Sequence, residues 1–135
     1  MKRWIASWKR SVQPRKQRKY RYNAIKQVKG KFLSGHLNKS LQEKYKRRSL
    51  RLRKGDKVKI MRGHYKGQEG KIEHINLRES FVYVTKIEVS KKDGSKVRAP
   101  IHASNILILD IDTSDKYRME KLNTNAKANA KIKTE

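Results

Sequence analysis

The chain contains no cysteine. That single absence excludes disulfides, thiolate-bound zinc and a cysteine nucleophile. Acidic residues are scarce: 12 Asp and Glu stand against 37 Lys and Arg, for a formal net charge of +25. One-signed charge at this density opposes compaction, so the chain requires a polyanion beside it. Hydrophobic residues make up 35%, below the roughly 45–50% of ordinary globular domains, a figure that counts Gly and not Tyr. A large core is not expected, and a small one, with the remaining chain ordered by a partner, fits better. No apolar run approaches the roughly 20 residues that a membrane helix needs. The opening stretch MKRWIASWKRSV lacks a secretory apolar region, although its Arg, its Ser and its freedom from acids are traits of a transit peptide.

Catalytic and metal-binding patterns are equally scarce. His36, His64, His74 and His102 have no partner four residues away and no spacing that would form a zinc site. The stretch DIDTSD opens like a calcium loop, but Ser114 and Asp115 stand where a third ligand and a glycine are needed, which leaves helix capping as its role. In RGHYKGQEGK, at residues 62–71, six residues separate Gly63 from Gly70. Ile72 follows Lys71, and a strand pattern comes next, so the stretch is not a nucleotide-binding P-loop. No helix dipole would meet a phosphate there. Nothing in the chain supports an enzyme, a cofactor or a metal site.

The charge that is present is unevenly divided. Residues 1–53 hold 19 Lys and Arg against one acid, Glu43, a net +18, whereas residues 54–135 hold 18 against 11, a net +7. The first segment is a basic extension that lacks a core of its own, so its folding is expected to require the partner. It is more than a solvated tail, because Tyr20 and Tyr22 are set among Arg15, Lys16, Arg18, Lys19 and Arg21. Cations neutralise phosphates and flat rings stack on exposed bases. NKSLQEKYKRRS reads as a short helix with a Ser40–Glu43 capping box, Leu41 and Tyr45 on one face, and cations including Arg47 and Arg48 toward its end. The basic run continues to Lys54. In WIASW, Trp4, Ile5 and Trp8 share a helical face, suited to a membrane surface or to a groove on RNA or protein; nothing after residue 12 continues the pattern.

From residue 57 the period of the pattern becomes two. KVKIM alternates, KIEHI alternates until Ile75 breaks the register, and FVYVTKIEV places Phe81, Tyr83, Thr85, Ile87 and Val89 on one face. Asp93-Gly94 marks a hairpin turn and NILIL a last strand. Five short strands with tight turns predict a small barrel or rolled sheet. Asp112, Thr113 or Ser114 can cap a short helix over 111–122, and NTNAKANAKIKTE reads as a disordered tail over 123–135. The expected organisation is thus a mainly β chain: a basic, partly helical extension over 1–53, a β unit over 54–110, a C-terminal helix and a tail. Within the β unit, Gly63, Gly67 and Gly70 permit positive φ or close backbone approach. Arg62, His64, Tyr65, Lys66 and Lys71 surround that loop and can rest against a phosphate backbone.

RKGDKVKIMRGHYKGQEGKIEHI resembles a KOW motif, the strand–loop–strand signature of SH3-like barrels in ribosomal and transcription-elongation proteins. QPRKQRKYRYNA, SGHLNKSLQEKYKRRSLRLRKGD, KKDGSKV and PIHASNI narrow the likeness. In this order, over roughly residues 13–122, they resemble the universal large-subunit ribosomal protein twenty-four in its archaeal form, called twenty-six in eukaryotes. The resemblance implies an SH3-like barrel on the large ribosomal subunit, bound to rRNA near its 5′ region and the peptide exit tunnel, with an assembly role in the bacterial family. It carries RNA contact onto Arg62, His64, Tyr65, Lys66 and Lys71, and onto Arg15 to Tyr22 of the extension. The implied partners are rRNA and neighbouring ribosomal proteins in the cytoplasm, with no homo-oligomer, membrane or small-molecule substrate. Residues 1–12 have no counterpart, and Ala103 stands where the family usually has proline. Two other readings are a KOW transcription or elongation factor that visits RNA polymerase, and an imported organellar ribosomal protein.

Overall fold

The computed structural model describes residue 5 and residues 11–131, with side chains described through residue 124. The reading that Trp4, Ile5 and Trp8 share a helical face therefore lies outside the described residues, as do positions 132–135. Two short helices come first. Helix α1 (Pro14–Asn23) starts with proline in its first turn, where the missing N–H costs nothing. None of its residues is buried. A helix polar on all sides gains little from its own chain and relies on what lies outside it. Helix α2 (Lys26–Phe32) follows, and its one buried residue, Gly30, lies beneath the Arg51 guanidinium.

The sheet begins earlier than the charge pattern suggests. Leu33, Gly35 and Leu37 alternate inward along β1 (Ser34–Leu37), and Leu50 and Leu52 do so around β2 (Ser49–Arg51). The other strands are β3 (Lys57–Ile60), β4 (Glu69–Asn76), β5 (Phe81–Val84), β6 (Glu88–Ser90), β7 (Lys96–Arg98), β8 (Ile101–His102) and β9 (Ile106–Asp110). Seven of them form one sheet in the order β2-β1-β9-β3-β4-β5-β8. Every pairing is antiparallel except β1 with β9, which is parallel. The sheet's two end strands, β2 and β8, do not pair with each other, so the ladder stays open. The architecture is mainly β with a basic, partly helical N-terminal part and a C-terminal helix, as the sequence predicts.

Two details of register differ from the simple alternation. The break expected at Ile75 is a bulge just before it: Ile72 faces Val84 and His74 faces Tyr83. The run FVYVTKIEV is not one strand. Lys86 turns at φ 66°, and this resets the alternation, so Val82, Val84 and Ile87 are all buried. Val89 is exposed, and the expectation that it shares a face with Ile87 fails. Strands β6 and β7 form a separate ribbon around Gly94, whose φ of 80° suits the turn. Ser95 donates to Asp93 Oδ1 from its hydroxyl at 2.7 Å and from its backbone N–H at 2.9 Å. These bonds hold the Asp93 carboxyl below its ordinary value, the hydroxyl contributing most.

The core joins both halves of the chain. Val58, Ile60, Ile72, Val82, Val84, Ile106 and Ile108 come from the β unit, Leu33, Leu37, Tyr45, Leu50 and Leu52 from the basic segment, and Leu122 from the last helix. The division at residue 53 marks a change of charge, and the sheet and its core extend across it.

Both helix caps fall elsewhere than the sequence suggests. Helix α3 (Lys39–Tyr45) is capped by Asn38, whose Oδ1 accepts from Lys39 N at 2.7 Å. The Asn38 N–H is itself held by Ile108 O at 3.0 Å, which fixes the helix start against β9 two residues before Ser40. Leu41 and Tyr45 do turn to the core. Helix α4 (Lys116–Lys131) is capped by Asp115, whose Oδ1 accepts from Arg118 N at 3.0 Å. Asp112 instead accepts from Ser114 N, which lowers its carboxyl below the ordinary value. The helix runs past residue 122 into the polar stretch read as a tail.

Candidate nucleic-acid interface

The acids of this chain are largely spent on the fold. Arg53 pairs with Asp115, Lys59 with Glu69 at 3.2 Å, Arg98 with Glu73 at 3.1 Å, and Arg118 with Asp56 at 2.6 Å. Glu79 accepts from Asn76 Nδ2 at 3.0 Å. Among the described residues, none of these pairs uses Arg15, Lys16, Arg18, Lys19, Arg21, Arg47, Arg48, Lys54, Arg62 or Lys66. Those cations are exposed. They form a set that the protein itself leaves uncompensated, available to a polyanion.

They fall into patches. In α1 the side chains of Arg15, Arg18, Lys19 and Tyr22 follow one another at intervals of three and four along one stripe. Lys16 and Tyr20 lie on the neighbouring stripe, with Tyr20 half-buried and Tyr22 exposed. Arg47 and Arg48 occupy the short link between α3 and β2, after Lys46 ends the helix at φ 49°. Lys54 lies in the turn before β3.

The glycine loop joins β3 to β4. Gly63 and Gly67 hold φ of 94° and 89°, and an added Cβ would meet nothing within 4 Å at either, so the loop needs glycine there for its backbone alone. Gly67 N donates to Ile60 O at 2.8 Å and Met61 N to Asn105 O at 2.8 Å, pinning both ends. Arg62, His64 and Lys66 project outward. Tyr65 is partly engaged by the protein: it packs on the core, its hydroxyl donates to Glu88 O at 3.2 Å, and the His64 ring meets it edge-on at 5.1 Å. Lys71 is exposed on β4, where its N–H donates to Thr85 Oγ1 at 3.0 Å.

Gly70 serves differently. Its φ is not positive, but a Cβ would lie 2.7 Å from Val84 Cγ1 and 2.9 Å from Thr85 O. Here glycine permits close strand approach, and the backbone oxygen cannot yield as a side-chain tip can. Gly70→Ala should therefore cost about 1–3 kcal/mol, as overpacking does. Urea unfolding would show it as a lower midpoint at unchanged slope, and an unchanged midpoint would refute the close approach.

Several residues near α1 were not singled out by the sequence. Lys29, Lys31 and Phe32 of α2 and Arg78 of the β4–β5 turn line one groove with Arg21 and Tyr22. KGKF carries the same cation-and-ring signal as the stretch around Tyr20 and was readable by the same rule. Arg78 had no such signal. The four histidines stay dispersed, and among the described residues no three of His, Cys, Asp or Glu form a metal-holding group. Nor is any helix, among those residues, long and apolar enough to cross a membrane.

A family model that describes the L26 ribosomal proteins of eukaryotes and their L24 counterparts in archaea matches residues 11–125. The chain is 46% identical over 112 residues to the large ribosomal subunit protein uL24 of Methanospirillum hungatei, covering 83% of this chain and 93% of that one. It is 43% identical over 113 residues to uL24 of Methanosphaera stadtmanae, covering 84% and 97%. With uL24 of Methanosarcina barkeri the identity is 41% over 112 residues, covering 83% and 97%. Small strand-rich architecture, uncompensated positive charge and these matches define the class as that of ribosomal proteins. Within it, the chain belongs to the family that unites eukaryotic ribosomal protein L26 with archaeal ribosomal protein L24.

Proposed function

We infer that this chain is a structural constituent of the large ribosomal subunit and that it binds rRNA near the 5′ region of that RNA and the peptide exit tunnel, aiding assembly. One observation supports RNA as the partner above the others. Acids are paired within the chain, Asp56 in the core and Asp115, Glu69 and Glu73 nearer the surface, while the cations of α1, the α3–β2 link and the glycine loop are left uncompensated and outward. That division lowers the internal cost of a +25 chain only where phosphates surround it. Arg15 to Tyr22, Arg47, Arg48 and Lys54 form the proposed contact of the basic segment, and Arg62, His64, Tyr65, Lys66 and Lys71 that of the loop. Tyr65 contributes its exposed ring portion only, because its hydroxyl belongs to the fold. The setting is the cytoplasmic ribosome, with rRNA and neighbouring ribosomal proteins as partners. Sedimentation of cell extract at moderate salt should bring the chain down with large subunits almost completely. Recovery with RNA polymerase, or at the top of the gradient, would overturn the reading.

A further inference from the structure

Between the N-terminal helices and the sheet lies a groove of about 780 Å³, inside the roughly 300–1,000 Å³ range of clefts that hold ligands. Arg21 and Tyr22 enter it from α1, Lys29, Lys31 and Phe32 from α2, and Arg78 from the β4–β5 turn. None of its four cations has an ion pair among the described residues. Its one carboxylate, Glu79, is held by Asn76. The rings stay open to solvent: Tyr22 is 70% exposed and Phe32 36%. Cations already approach them, Lys29 Nζ lying 5.7 Å from the Tyr22 centroid and Arg21 Cζ 5.7 Å from that of Phe32. His102 and Ser104 also line it with polar groups.

Double-stranded RNA offers phosphates and sugar edges but no base faces, so it would use the cations and leave both rings idle. An unpaired nucleotide uses both, with its base on an aromatic face and its phosphates on the cations. We propose that this groove holds a single-stranded segment of RNA, one base stacking on Phe32 and Tyr22 and the flanking phosphates meeting Arg21, Lys29 and Arg78. The inference rests on the RNA-binding reading and adds the strand state of the RNA at this point.

The test uses the full chain, a uridine-rich RNA octamer with a central 2-aminopurine, and a short RNA duplex at the same salt. Binding should quench the 2-aminopurine emission, as stacking does. Replacing Tyr22→Leu and Phe32→Leu together should weaken octamer binding by about tenfold and abolish the quench, a loss several times larger than that for the duplex. Thermal melting verifies that the variant folds. Should it not, Tyr22→Leu alone, at an exposed side chain, carries the test with a smaller loss in the same direction. Equal loss for both RNAs, or no loss for the octamer, would overturn the groove assignment and leave the RNA-binding reading intact. Failure of the unaltered chain to bind either RNA would overturn that reading together with the inference.

Discussion

Replacing Asp56 by alanine should lower the unfolding free energy by about 3–5 kcal/mol, the cost of stranding one partner of a buried ion pair. Asp56 is wholly buried and Arg118 is 7% exposed. The guanidinium grips both carboxylate oxygens, at 2.6 Å and 2.9 Å, and also donates to Arg51 O at 3.0 Å. The carboxylate accepts two backbone N–H groups besides, from Arg53 at 2.9 Å and Asp112 at 3.1 Å. The substitution therefore strands a guanidinium and two amides at once. The melting temperature should fall on the order of 10–20 °C. Arg118→Ala should cost nearly as much, because it leaves a buried carboxylate. Replacing both by apolar residues of similar size should recover most of the loss. A loss below about 1 kcal/mol for either single substitution would show that the pair does not anchor α4.

Affinity for a large-subunit rRNA fragment should fall steeply with salt. With about ten cations meeting phosphates, the log–log slope should lie near −7 to −9, so raising salt from 50 to 200 mM should weaken binding by about four to five decades. Filter binding or anisotropy across a salt series measures it directly. A slope near −2 would mean that most of the exposed cations only face solvent, and the role given to α1 would fall with it. Removing cations in groups locates the contacts: neutralising Arg15, Arg18 and Lys19 should flatten the slope by about two to three, without touching the core, since α1 buries nothing.

Legibility followed the physical signal. The β unit was readable because Val58, Ile60, Ile72 and Ile108 carry a plain period of two, and Asp93-Gly94 announces its turn. The charge difference between the halves was also plain. That difference hid the structural role of residues 33–52. Leu33, Leu37, Leu50 and Leu52 alternate as well, but they lie inside the most basic segment, and β1 completes its pairing with a strand about seventy residues away. No local pattern reveals a partner so distant. The caps failed for a similar reason. Asn38 prevails over Ser40 because β9 holds its backbone, a tertiary effect outranking a local preference. Asp56 and Arg118 are separated by sixty-two positions, and nothing near either announces the other. The groove beside the N-terminal helices needed the fold to bring Arg78 to Tyr22.

The parallel ladder between β1 and β9 sets an order of events. An early strand whose second edge is covered only by the last one cannot be sealed while the chain between them is still being made. Through that interval β1, which lies in the stretch richest in lysine and arginine, keeps that edge unpaired. Arg118 reaches Asp56 only after that, because it lies later still in the chain.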